Sequence, residues 1–90
     1  MESLVIKVIN KVGLHARPAA SFVKKAQSFA SQILVENITK NSDKVNAKSF
    51  VKILSIAVDH DNDIRITADG DDAAQALQGL KELIDNNFGE

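Results

Sequence analysis

The stretch SFVKILSIAV, Ser49 to Val58, is polar only at Ser49, Lys52 and Ser55. A strand would scatter that three-residue repeat over both faces of a sheet, whereas a helix gathers it on one stripe. The spacing therefore predicts a short helix, with the Ser49 side chain suited to cap its first free N–H groups. This choice decides the fold, because a helix here gives the order strand, helix, strand, strand, helix, strand, helix.

The flanking segments are easier to read. LVIKVI (4–9) is β-branched and one strand long, bounded by Asn10 and Gly13. From near Ala16 the apolar residues Ala19, Phe22, Val23, Ala26, Phe29 and Ala30 keep helical spacing. QILVEN (32–37) reads as a second strand, and the turn-rich TKNSDK returns the chain into a short third strand around Lys44 to Asn46. Beyond the central helix, DHDND is a solvated loop and DIRITA (63–68) alternates as a strand with Ile64 and Ile66 inward. Residues 70–88 then read as a long amphipathic helix. Ala73, Ala76, Leu77, Leu80, Leu83, Ile84 and Phe88 lie on its apolar face, with Asp71 and Asp72 at its positive end. The order predicts an α+β fold in a single domain over 1–90, one mixed layer of strands covered on one face by helices.

Composition narrows the function. Ninety residues are too few to enclose a deep catalytic cavity between domains. With 11 basic and 12 acidic side chains and no Trp or Tyr, the chain lacks both the field and the stacking surfaces for nucleic acid. The absence of cysteine removes disulfides, thiolate metal sites and thiol nucleophiles, and is compatible with a reducing compartment. No apolar run reaches the roughly 18 residues of a membrane span, and MESLVIKVINK lacks the marks of a signal peptide. These features predict a cytoplasmic protein that is mature from Met1.

Chemistry concentrates in GLHARPAA, Gly13 to Ala20. Pro18 suits a first helical turn and Gly13 a turn before it, which places His15 at the N-terminal edge of the helix. Free backbone N–H groups there favour an anion, and Arg17 can bring a guanidinium to the same anion. No second histidine or nearby carboxylate shares the segment, so a metal site is not expected. With an unperturbed pKa of ~6.5, imidazole is largely neutral at neutral pH and can take up a phosphoryl group without a buried base. The structural alternative stays open: His15 as a surface residue at the helix start, Arg17 as a solvated charge and Pro18 as an ordinary helix starter.

GLHARPAA resembles the active-site signature of the HPr family of phosphocarriers in the bacterial sugar phosphotransferase system. VNAKS (45–49) resembles the family's second signature, and DIRITADGDDAAQAL its last strand and the start of its final helix. The resemblance implies an open-faced β-sandwich, a four-stranded antiparallel sheet covered on one face by three helices. It also implies that His15 accepts phosphate from enzyme I as a pros-phosphohistidine, steadied by Arg17, and passes it to enzyme IIA domains. The protein would then be a phosphocarrier rather than a turnover enzyme, monomeric and without cofactor or metal. Ser49 is phosphorylated by an HPr kinase/phosphorylase in some relatives. This leaves an alternative function, a regulatory binding module acting through the Ser49 state and a transcriptional regulator.

Phe50, Val51, Ile53, Leu54 and Ile56 are too many apolar residues for one side of a short helix to bury. The resemblance implies a docking face on the two helices, with Ala20, Phe50, Val51 and Leu54 exposed; a packed core helix is the alternative. The chain departs from the family pattern at Lys52, in the AVDHDND connection (57–63) and in a longer loop around Thr39 to Lys44. These departures bear on partner choice. Asp59, Asp61 and Asp63 alternate as in a calcium loop, but Ile64 stands where that loop needs glycine and Gly70 where it needs Glu. His60 is then expected to be a surface loop residue.

Overall fold

The computed structural model describes residues 1–89. Its elements are β1 (Glu2–Lys7), α1 (Ala16–Gln27), β2 (Gln32–Asn37), β3 (Val45–Asn46), α2 (Phe50–Ser55), β4 (Asp63–Asp69) and α3 (Ala73–Asp85), followed by a 3₁₀ turn, Asn87–Gly89. The four strands form one antiparallel sheet in the order β1-β4-β2-β3. The expected architecture, three helices over one face of such a sheet, is the one found.

The inner face follows from the period-two alternation of β4. Ile64, Ile66 and Ala68 are fully buried beneath the helices, whereas Arg65 and Thr67 point to the open face. Because β4 is central, each inward residue sits in a cross-strand row: Leu4, Ile66 and Val35 in one, Ile6, Ile64 and Asn37 in the next. On the open face the registered pair Arg65 and Glu36 forms an ion pair at 3.3 Å. Phe22 of α1, Ile53 of α2 and Leu80 of α3 are fully buried and close the core from above.

Several boundaries differ from the sequence reading. β1 runs from Glu2 to Lys7 rather than over 4–9, because at Val8 the chain leaves the ladder to bond Asn62 O and Asp61 N, and Ile9 turns to solvent. The third strand is shorter than expected by Lys44, pairing with β2 through Val45 and Asn46. α1 stops at Gln27, where Ser28 N and Phe29 N bond back to Lys25 O and Ala26 O; Phe29 is half-buried past the end, and Ala30 is exposed. α3 spans 73–85 rather than 70–88, since Asn87 (φ 55) and Phe88 (φ 58) are left-handed and end it. Phe88 is buried nonetheless, folded back onto the core by that reversal.

Asp72 also departs from its expected role. It stands at the N-cap of α3 but makes no side-chain bond to that helix. Its carboxylate instead accepts the N–H groups of Ala30 (2.8 Å) and Ser31 (2.9 Å) and the Ser31 hydroxyl, joining the α1–β2 turn to the start of α3. The Ser31 hydroxyl first, and the Ala30 amide next, hold this carboxyl below its ordinary value of 3.8. A depressed pKa contributes stability that is complete above the unfolded value and is lost as pH falls through the folded one. An Asp72→Asn variant is therefore expected to melt below the parent at pH 7, with the gap narrowing as pH falls below 3.8. A gap constant from pH 7 to 2.5 in thermal melts would count against the ionised staple.

Candidate functional site

The connection from β1 to α1 lies directly on the connection from α2 to β4. Gly13 is left-handed at φ 66, and a Cβ built on it would fall 2.1 Å from the Val58 carbonyl oxygen. Leu14 N donates to that same oxygen at 2.9 Å, and the Leu14 side chain is fully buried. Asn10 closes the turn through Nδ2, which donates to Gly13 O at 2.7 Å. His15 follows as the N-cap of α1, in extended backbone (φ −126, ψ 157), and its side chain makes no cap bond. Ala16 is left-handed at φ 52, and Pro18 is buried in the first turn. The expected helix start is thus observed, and the His15 ring, with 41% of its side chain exposed, is not used to cap.

The segment contains no carboxylate, but the fold brings one to it. Asp59, in the loop between α2 and β4, accepts a hydrogen bond from His15 Nε2 at 3.0 Å through Oδ1. Its Oδ2 pairs with Lys40 Nζ, which also donates to Ala57 O at 2.7 Å. The Lys40 ammonium first, and His15 second, hold the Asp59 carboxyl below its ordinary value, so it is an anion at neutral pH. An ionised carboxylate only accepts, which places the proton of a neutral His15 ring on Nε2 and leaves the lone pair on Nδ1. Among the described residues no group of three or more His, Cys, Asp or Glu is placed to hold a metal ion, and His60 is an exposed loop residue bonded to Asn10 O and Asp61.

Asp59 and Lys40 are held by a buried amide pair. The fully buried Asn37 donates through Nδ2 to Ile56 O (3.0 Å) and Asn62 Oδ1 (3.1 Å), and its Oδ1 accepts from Lys40 N (3.2 Å). Asn62 Oδ1 also accepts from Asp59 N at 2.9 Å. The end of β2 thereby fixes both loops that reach His15. Replacing Asn37 by alanine strands several buried polar groups, each expensive to leave unpaired. The expected loss is about 2–3 kcal/mol in denaturant unfolding; a variant within experimental error of the parent would show that water takes over these bonds without cost.

The other candidates lie along the two exposed helices. α2 packs against α1, and its start is tied to the far end of α1 by Gln27 Nε2 donating to Lys48 O (3.0 Å) and Lys48 Nζ donating to Phe29 O (2.7 Å). Ser49 is the N-cap of α2, its Oγ accepting from Lys52 N at 3.3 Å, so His15 and Ser49 stand at opposite ends of the helix pair. Phe50 (42%) and Val51 (72%) are exposed, as are Ala20, Arg17 and Lys52. Leu54 departs from expectation: it is half-buried and packed against the core, because one side of a single-turn-plus helix faces inward with Ile53. The structure therefore brings Asp59 and Lys40 to His15, while Ser49, Phe50 and Val51 form a separate region.

Comparison with known proteins gives one family. The family model described as the PTS HPr component phosphorylation site matches residues 3–86. The phosphocarrier protein HPr of Neisseria meningitidis is 40% identical over 85 residues, covering 94% of this chain and 92% of that protein. The multiphosphoryl transfer proteins of Haemophilus influenzae and Vibrio cholerae are each 42% identical; the chain covers 16% of the former and 21% of the latter. A crystal structure of HPr-C-His from Thermoanaerobacter tengcongensis superposes with a TM-score of 0.93 at 48% identity, covering 100% of this chain and 98% of that one.

Proposed function

The chain belongs to the HPr family of the phosphotransferase system, and from that premise we propose that it carries phosphate on His15 Nδ1 from enzyme I to sugar-specific enzyme IIA domains. The observation that carries this reading is the environment of His15. Its ring is half-exposed at the start of α1, with Nε2 engaged by Asp59 and Nδ1 left with its lone pair. That nitrogen attacks the phosphorus of the charged donor, and the bond to the donor breaks with its electron pair. The first-turn N–H groups of α1 and the Arg17 guanidinium then face the transferred phosphoryl group. An exposed helix end holds such a group loosely enough to give it up again, as a relay needs.

Docking is assigned to the surface of α1 and α2, through Ala20, Phe50 and Val51, with Leu54 supporting them from beneath. Phe50 and Val51 are the apolar residues that this surface offers to a partner. The carrier works as a cytoplasmic monomer; no helix among the described residues is long and apolar enough to cross a membrane. Ser49 supports a second reading, a binding module switched by an HPr kinase/phosphorylase. The observation behind it is that the hydroxyl caps α2 directly beside Phe50 and Val51, where a phosphate would add roughly −2 charge to the docking face.

Intact-mass analysis after incubation with phosphoenolpyruvate, magnesium and enzyme I tests the leading reading. The expected result is a gain of one phosphoryl group that brief acid treatment removes. No gain, with a control HPr charged by the same enzyme I, would overturn it.

A further inference from the structure

We propose that Asp59 is a positioning residue for phosphoryl transfer, holding the His15 ring with Nδ1 outward and balancing the charge that the ring acquires when phosphorylated. The proposal rests on His15 being the phosphoryl acceptor. Two loops supply the groups it invokes: the 39–44 loop carries Lys40, and the 57–63 connection carries Asp59.

The geometry is that of a carboxylate with both oxygens committed. Oδ1 accepts from His15 Nε2 at 3.0 Å, and Oδ2 pairs with Lys40. Each side of this arrangement is anchored separately. Lys40 Nζ is bound to Ala57 O at 2.7 Å, and Asp59 N donates to Asn62 Oδ1 at 2.9 Å within the buried Asn37 network. The carboxylate is therefore presented to the ring from a fixed backbone, which is the condition for orienting a nucleophile rather than merely meeting it.

The chemistry explains why an acceptor at Nε2 matters in both directions. During charging, the Nδ1 lone pair forms the P–N bond, the bond to the donor breaks with its electrons, and Nε2 keeps its proton. The ring becomes a cation, and Asp59 lies beside its N–H. During discharge the P–N bond breaks and its electron pair returns to Nδ1, so the leaving group is neutral imidazole rather than imidazolate. Lys40 offsets the carboxylate, which keeps Asp59 from adding an uncompensated negative charge beside an incoming phosphate. The groups seen beside the reacting ring are thus Asp59 and, behind it, Lys40.

The test is rapid-quench charging of the full chain by phosphorylated enzyme I, with the parent, Asp59→Ala, Asp59→Asn and His15→Ala compared across donor concentration. Asp59→Ala is expected to slow charging at saturating donor by roughly three- to tenfold, the range for one charge-assisted contact at a half-exposed site, with half-saturation unchanged. Asp59→Asn, whose amide oxygen can accept the same bond without the charge, should recover part of the rate. In ¹⁵N spectra of the neutral parent ring, Nε2 should be the protonated nitrogen. After phosphorylation its N–H signal should be sharp in the parent and broadened by solvent exchange in Asp59→Ala. Equal saturating rates for parent and Asp59→Ala, a change in half-saturation alone, or a proton on Nδ1 would each overturn the proposal while His15→Ala stays uncharged. Charging of His15→Ala would instead overturn the acceptor assignment, and the Asp59 role with it.

Discussion

A His15→Ala protein incubated with phosphoenolpyruvate, magnesium and enzyme I is expected to gain no phosphoryl group, while the parent gains one that acid removes. The effect should be complete, because His15 carries the only imidazole beside the first turn of α1. The other histidine, His60, is engaged by Asn10 O at 3.2 Å and by Asp61 at 3.2 Å. His60→Ala should accordingly charge like the parent. The loss would be chemical rather than structural, since the His15 side chain caps nothing and its hydrogen bond to Asp59 is open to solvent. Removing so exposed a contact changes stability little, because solvent screens it. A normal melting curve with no phosphate uptake is the expected signature; uptake by His15→Ala would move the acceptor elsewhere.

The second large effect is on folding, at Gly13. An alanine there must adopt φ 66, which costs roughly 1–2 kcal/mol for a residue with a Cβ. It must also place that Cβ 2.1 Å from Val58 O and 2.7 Å from the Asp59 Cα, both backbone atoms that cannot rotate aside. The chain can relieve this only by separating two connections joined by the Leu14 N to Val58 O bond of 2.9 Å. The expected destabilisation of Gly13→Ala is about 2–4 kcal/mol, or a melting temperature lower by roughly 10–20 °C in a domain of this size. Gly89→Ala separates the two causes, because Gly89 is also left-handed at φ 80 but, among the described residues, nothing lies within 4 Å of its would-be Cβ. Only the smaller backbone cost should appear there. Equal melting temperatures for the two variants would show that the close approach at Val58 costs nothing. Phosphate uptake should fall further in Gly13→Ala than Gly89→Ala, since Gly13 sets the distance between His15 and Asp59.

Much of this protein is legible from residues that act on their immediate neighbours. The three-residue repeat of Ser49, Lys52 and Ser55 specifies α2, with Ser49 capping it, because helical periodicity and capping span only three or four positions. The alternation in β4 likewise assigns Ile64 and Ile66 to the core, and Gly13 with Pro18 sets the start of α1 beside His15. Local pattern is weakest where a side chain answers to something distant. Asp72 has the residue type and place of an N-cap, yet it spends its carboxylate on Ala30 and Ser31, more than forty positions away. Phe88 keeps helical spacing but reaches the core through a left-handed reversal instead.

The same division runs through the site. His15, Arg17 and the helix end that presents them are set by eight consecutive residues, so local sequence alone fixes where the proposed phosphoryl acceptor stands. Asp59 and Lys40 stand 44 and 25 positions from His15, in loops whose polar composition reads only as solvated chain. Asp59 meets the histidine, and Lys40 meets Asp59, because β4 enters the sheet between β1 and β2, drawing the β2–β3 loop and the α2–β4 connection to the same end of the sheet. Local sequence places the His15 ring at the helix start, and strand order chooses what stands behind it, since only assembly of the sheet brings Asp59, 44 positions on, to 3.0 Å from that ring.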